Sequence, residues 1–209
     1  MRGKGLGGGW ERENHAGRTV DLYAAPAVVA GTALAAARVR PAAGFAVLVA
    51  GACGGYDDVA GAGDPRRGFR AHLSALREGE VTSGAVKLFG VSAAGLVAGA
   101  LLKERPVDKV LAGVVIAGAA HFVNLVDLRP GRAAGAVLPD DLGERTMLGD
   151  AGAHALGAVL GAAVVAGWGS PRSSEAESGG GRAGLVAHAA AVIAAAVYGD
   201  QVSEFARSV

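Results

Sequence analysis

Residues 110–126 read V-L-A-G-V-V-I-A-G-A-A-H-F-V-N-L-V, from Val110 to Val126. The run holds no Asp, Glu, Lys or Arg, and a helix drawn through it is apolar on every side. Such a helix belongs inside a large protein or inside a bilayer. It is a little shorter than the ~20 residues a spanning helix needs. Lys109 at its entry can reach outward to the interface and extend the span. Five further stretches of the same kind flank it: Leu22 to Ala37, Pro41 to Tyr56, Leu88 to Leu102, Ala151 to Gly169 and Ala183 to Gly199. Six such runs in 209 residues, with little amphipathic periodicity, point to lipid rather than to a soluble core. The expected fold is all-α: a polytopic transmembrane helix bundle with six spans.

Composition agrees. The chain is 51% hydrophobic with only 5% aromatic residues, so its core must be Ala, Gly, Val and Leu. Small side chains bury little area and would hold a soluble core weakly. Between lipid-embedded helices they permit close backbone approach instead. Gly95 with Gly99, and Gly157 with Gly161, have the spacing of such packing faces. A net charge of +1 gives no reason to expect nucleic acid. The single cysteine, Cys53, excludes a disulfide within the chain and reads as a small buried hydrophobe. Residues 1–18 are polar and Gly-rich without the pattern of a cleavable signal peptide, so the first apolar stretch is expected to act as the insertion signal.

The connections sort by charge. Arg2, Lys4, Arg12 and Arg18 precede the first stretch; Arg66, Arg67, Arg70, Arg77 and Lys87 follow the second; Arg129, Arg132 and Arg145 follow the fourth. Excess Lys and Arg mark the cytoplasmic side. This organises the chain into a cytoplasmic N-terminal segment 1–21, a bundle 22–199 with cytoplasmic loops 57–87 and 127–150, and a cytoplasmic tail 200–209. The Ser- and Gly-rich stretch 170–182 reads as a flexible external linker.

Acidic residues gather at the cytoplasmic ends of the apolar stretches: Asp57 and Asp58, then Asp127, then Asp150. The helices ending at Tyr56 and Val126 run toward the cytoplasm, and a carboxylate at a helix C-terminus is disfavoured by roughly 0.3–1 kcal/mol. A divalent cation would relieve that cost, and hard carboxylate oxygens suit Mg²⁺. Asp150 also reads as a helix N-cap. Asn124 reads as an interhelical hydrogen-bonding residue, and His121 and His154 as packed core histidines. Arg129 and Arg132 beside Asp127, Arg67 in the first loop and Lys87 at its end supply charges that can hold phosphate.

The order of these residues resembles one family. Asp57-Asp58 at a helix end, Asn124-Leu-Val-Asp127, Gly149-Asp150-Ala-Gly, Arg67-Gly68 and Lys87-Leu-Phe-Gly90 resemble motifs of the polyprenyl-phosphate N-acetylhexosamine-1-phosphate transferases. That superfamily includes the undecaprenyl-phosphate GlcNAc-1-phosphate transferases and the phospho-N-acetylmuramoyl-pentapeptide transferase. The resemblance runs from about Asn14 to Asp200. It implies a multi-pass cell-membrane enzyme of cell-envelope glycan synthesis, with its site facing the cytoplasm. Such an enzyme moves a sugar-1-phosphate from a UDP-sugar to a polyprenyl phosphate with Mg²⁺. It further implies catalytic roles for Asp57, Asp58 and Asp127, and metal binding by Asp57, Asp58, Asp127 and Asp150. Asn124, Lys87, Arg67, Arg129 and Arg132 would bind substrate phosphate. Membrane lipid is the surrounding partner, and monomer and homodimer are both open. The sequence departs from the family where Pro130 stands in place of a second motif acid, and where the family's His-rich late loop has no counterpart. These departures keep a second reading alive: a non-catalytic relative that binds lipid phosphate or a partner enzyme as a membrane scaffold. A small transporter is the third.

Overall fold

The structure is a computed structural model, and it describes residues 11–13, 17–66, 68–127, 147–168 and 175–208. A short antiparallel hairpin opens the described chain, with β1 (Glu11–Glu13) paired to β2 (Thr19–Asp21) in the register Arg12 opposite Val20. Eight helices follow among the described residues: α1 (Ala24–Val39), α2 (Pro41–Ala60), α3 (Gly68–Arg77), α4 (Ser83–Leu102), α5 (Pro106–Val126), α6 (Gly149–Gly167), α7 (Glu175–Val197) and α8 (Gly199–Ser208).

The described chain is thus helical apart from the hairpin and the connections, and each of the six apolar stretches falls largely in helix, the sixth crossing from α7 into α8. Helices α4, α5 and α6 are long and apolar enough to cross a membrane. Residues 181–197 of α7 and 199–205 of α8 meet at 84°, and together they make a fourth candidate. Helix α1 is apolar but has 16 residues. Helix α2 has 20 residues, but its last turns carry Asp57 and Asp58.

Starts and stops follow from local chemistry. Pro41 and Pro106 open α2 and α5, where the missing N–H costs nothing. Thr82 caps α4, its hydroxyl accepting the Ala85 N–H at 3.1 Å. Several expected boundaries shift. Helix α2 runs on past Tyr56 to Ala60, and α4 begins at Ser83 rather than Leu88, so Lys87 is helical. The segment between them holds the amphipathic helix α3. The tail expected at 200–209 is helical over Gly199–Ser208, which form α8.

The bundle is built around α5 and α6. Gly95 and Gly99 of α4 turn toward α5: a methyl at Gly95 would meet the Gly113 carbonyl at 2.8 Å, and one at Gly99 would strike the backbone of Lys109 and Gly113. Gly157 and Gly161 of α6 face α5 from the other side, where added methyls would meet the Ala120 and Ile116 Cα atoms at 2.5 and 2.8 Å. Both glycine pairs are therefore packing faces, as small-residue spacing allows. The buried core is mostly alanine and valine, with Ile116 among its few larger members.

Charges fasten the two ends of the bundle. At one end Lys103 donates to the Val165 carbonyl at 2.8 Å and to the Trp168 carbonyl, closing the C-terminus of α6. Nearby, Arg182 of α7 grips Asp108 of α5 in a fork, at 2.7 and 3.2 Å. At the other end the hairpin ties in. Val20 and Leu22 are buried, and the Asp21 carbonyl accepts the Met147 N–H at 2.8 Å, just before α6 begins.

Candidate functional site

The end of the bundle beside the hairpin gathers the C-terminus of α2 and the N-termini of α4 and α6. Helices α2 and α6 approach very closely there: a methyl at Gly54 would collide with the backbone of Asp150 and Ala151. Asp57 and Asp58 on α2 are thereby set against the first turn of α6, and Lys87 comes in from the second turn of α4.

The two aspartates do different things. Asp57 Oδ2 accepts from Lys87 Nζ at 2.5 Å, and the same ammonium also donates to Asp150 Oδ2. The three side chains are 16% (Lys87), 17% (Asp57) and 30% (Asp150) exposed, so the ions are largely shielded from water and attract strongly. Asp58 instead addresses the backbone. Its two oxygens accept the N–H groups of Asp150 and Ala151, each at 3.0 Å. The α6 N-cap position is Leu148, which offers no capping side chain, so Asp58 caps that helix from a different one. Asp150 is not the cap.

The cost of acids at the α2 C-terminus, from which the sequence argued for a cation, is not left unopposed: the ammonium of Lys87 and the positive end of α6 offset part of it. Nor are Asp57, Asp58, Asp127 and Asp150 brought together as a four-carboxylate metal set: among the described residues no three or more His, Cys, Asp or Glu groups are arranged to hold a metal ion. Asp127 ends α5, its N–H donating to the Val123 carbonyl at 3.0 Å. Arg67, Arg129, Arg132 and Pro130 lie outside the described residues.

A cavity of about 510 Å³ opens beside Lys87, between α3, α4, α5, α7 and α8. Lys87, His121, Asn124, His72, Arg70, Asp200 and Ser203 give it a polar side; Leu88, Phe122, Leu125, Val192 and Val197 give it an apolar one. Asn124 thus faces a cavity rather than a neighbouring helix alone. A second, shallower cavity of about 210 Å³ continues between α4, α5 and α7, sharing His121, Gly118, Val192 and Ala196 with the first. The pair forms a polar mouth leading into an apolar groove.

Behind His121, which is partly buried in the cavity wall, stands a second histidine, His154. His121 and His154 meet edge to face, with ring centroids 5.3 Å apart. His154 is fully buried, and its Nδ1–H donates to the Asp150 carbonyl at 2.7 Å, which assigns the proton to that nitrogen. The sequence reading as a core histidine fits His154, whereas His121 is partly buried and lines both cavities. Arg66 pairs with Glu80 at 2.8 Å, bracing the segment around α3.

Sequence reasoning missed His72. Its Nδ1 lies 2.9 Å from Thr82 Oγ1, and its ring lies against Gly84, where any methyl would collide with it. His72 therefore docks α3 onto the start of α4 and makes α3 a wall of the cavity. The alternation of Phe69, Leu73 and Leu76 with Arg70 and Arg77 was the available signal for that helix.

No family model, curated protein or solved structure matches this chain.

Proposed function

We propose that the chain is a multi-pass cell-membrane transferase that moves a sugar-1-phosphate from a UDP-sugar to a polyprenyl phosphate. It works with Mg²⁺ in cell-envelope glycan synthesis, with six spans and its site facing the cytoplasm. The observation that carries this reading is the convergence of Asp57, Lys87 and Asp150, from three helices, beside a cavity with a polar mouth and an apolar groove. An ionic cluster next to an amphiphilic cavity suits a phosphate on a long apolar chain. The family resemblance of the motifs around Asp57, Asn124 and Asp150 supplies the reaction.

In that reaction an oxygen of the lipid phosphate attacks the β-phosphorus of the UDP-sugar. The bond from that phosphorus to the bridging oxygen breaks, and UMP leaves. Phosphoryl transfer of this kind is catalysed by positioning and by neutralising charge. The donor chemistry of Asp57 and Asp150 fits Mg²⁺, which is commonly held by one or two carboxylates together with substrate phosphates. When bound, that ion supplies charge neutralisation. Lys87 and Asn124 line the mouth and orient the phosphate; the apolar groove receives the lipid chain. Asp58 holds the first turn of α6, and with it Asp150, in place. Arg67, Arg129 and Arg132 are further phosphate-binding candidates.

Membranes containing the protein, given UDP-GlcNAc, undecaprenyl phosphate and Mg²⁺, are expected to release UMP, and Asp57→Asn or Asp150→Asn to abolish the release. Folded protein that yields no UMP with any common UDP-sugar overturns the reading. Orientation is tested separately. In a Cys53→Ser background, Glu78→Cys and Lys109→Cys should react with an impermeant maleimide from opposite sides of the membrane.

A second reading is favoured by a specific observation. Both oxygens of Asp58 are committed to backbone N–H groups, and Pro130 replaces an acid of the family's motif. A non-catalytic binder of lipid phosphate needs fewer acids. Tight binding of undecaprenyl phosphate with no UMP released would decide for it.

A further inference from the structure

Lys87 belongs to two surfaces at once. Its ammonium lies between Asp57, at 2.5 Å, and Asp150, while the residue also forms part of the cavity wall near His121 and Asn124. Its backbone is fixed. Thr82 caps the start of α4, and the same hydroxyl lies 2.9 Å from His72 of α3. The long, flexible side chain is the part that can move.

The charge count gives it a reason to move. Three carboxyl groups, those of Asp57, Asp58 and Asp150, gather about the single ammonium of Lys87, with the α6 N-terminus set against Asp58. The cluster therefore favours further positive charge. The point where the Asp57 and Asp150 carboxylates converge is held by the lysine itself. A divalent cation bound at that point has to expel the ammonium, because the two cannot share it. The polar surface that Lys87 already adjoins on its other side is the mouth of the cavity.

We propose that Lys87 is an internal counter-ion which a divalent cation displaces from between Asp57 and Asp150. The displaced ammonium then turns into the cavity mouth and takes the phosphate of an anionic ligand. Cation and phosphate binding are coupled through this one side chain, and by linkage each strengthens the other. The inference rests on the reading of the site as one for a divalent cation and a phosphate.

The test uses the purified full chain in detergent, with Mn²⁺ followed by electron paramagnetic resonance and decyl phosphate by calorimetry. Lys87→Met should bind Mn²⁺ at least about fivefold more tightly than wild type, since the competing ammonium is gone. Wild type should bind decyl phosphate at least about fivefold more tightly with saturating Mn²⁺, and Lys87→Met should lose most of that gain. Suppose Asp57→Asn loses Mn²⁺ while Lys87→Met binds it no more tightly than wild type. The inference then fails and the cation site stands. Wild type that takes up no Mn²⁺ at millimolar concentration sinks both. Should Lys87→Met not fold, wild type alone decides. Acetylation of Lys87 by acetic anhydride, relative to Lys109, should rise severalfold on adding Mg²⁺, and an unchanged ratio overturns the proposal.

Discussion

Asp58 on α2 accepts the backbone N–H of Asp150 on α6 at 3.0 Å, so one acid of the site holds the peptide that carries another. The contact brings the negative end of α2 against the positive end of α6, and the two dipoles offset each other. It also divides the labour of the Asp57-Asp58 pair. Asp57 faces the ammonium of Lys87, whereas Asp58 faces the backbone.

Removing that cap has a graded cost. Asp58→Asn keeps one oxygen acceptor and loses the charge; Asp58→Ala leaves two N–H groups without a partner in a half-buried place. The expected losses are about 1 kcal/mol for Asn and about 2 kcal/mol for Ala. Unfolding in mixed micelles measures both. Equal stability of Asp58→Ala and wild type would show that the cap does not hold α6.

Gly149 is the companion requirement. It sits at φ +57°, and a methyl there would meet the Asp58 oxygens at 2.8 and 3.0 Å. Gly149→Ala therefore strains the backbone and pushes the capping carboxylate away. A loss of about 1–3 kcal/mol is expected. In an Asp58→Ala background the steric part should shrink, and the same unfolding assay reads the difference.

The helices were legible because uncharged runs such as 110–126 leave no alternative, and the glycine pairs were legible because their spacing sets a helix face. The site was legible only as a set of acids. Asp57, Asp58, Lys87 and Asp150 interrupt the apolar runs, so the runs suggested that α2 and α4 begin or end at them. In the fold they pair across three helices, which lets α2 run past Asp57 and Asp58 and α4 begin before Lys87. Pairings between residues 30, 63 and 92 positions apart leave no linear signal. The hairpin was equally hidden, since strands of three residues are too short to show alternation.

Packing at α5 offers a test with an internal control. Gly99→Val and Gly161→Val put side chains where backbone atoms of α5 already stand, and each should cost about 1–3 kcal/mol or prevent assembly. Gly31 on α1 has nothing within 4 Å of the place a methyl would occupy, so Gly31→Ala should be neutral or stabilise by up to about 1 kcal/mol through helix propensity. If all three behave alike, the glycine faces reflect composition and not packing.

The ion cluster predicts non-additivity. Lys87→Met leaves the Asp57 and Asp150 carboxylates facing each other without a cation, in surroundings where Asp57 is 17% exposed. That loss should be about 2–4 kcal/mol, since an unpaired charge in a shielded site is costly. Asp57→Asn removes one of the two repelling acids and should cost less. The double variant Asp57→Asn with Lys87→Met should then be more stable than the sum of the single losses by about 1–3 kcal/mol. Mg²⁺ at millimolar concentration should restore more stability to Lys87→Met than to wild type, because only in the variant does it bind without a competitor. Additive losses, with no difference in the response to Mg²⁺, would mean that Asp57 and Lys87 are neighbours without being energetic partners.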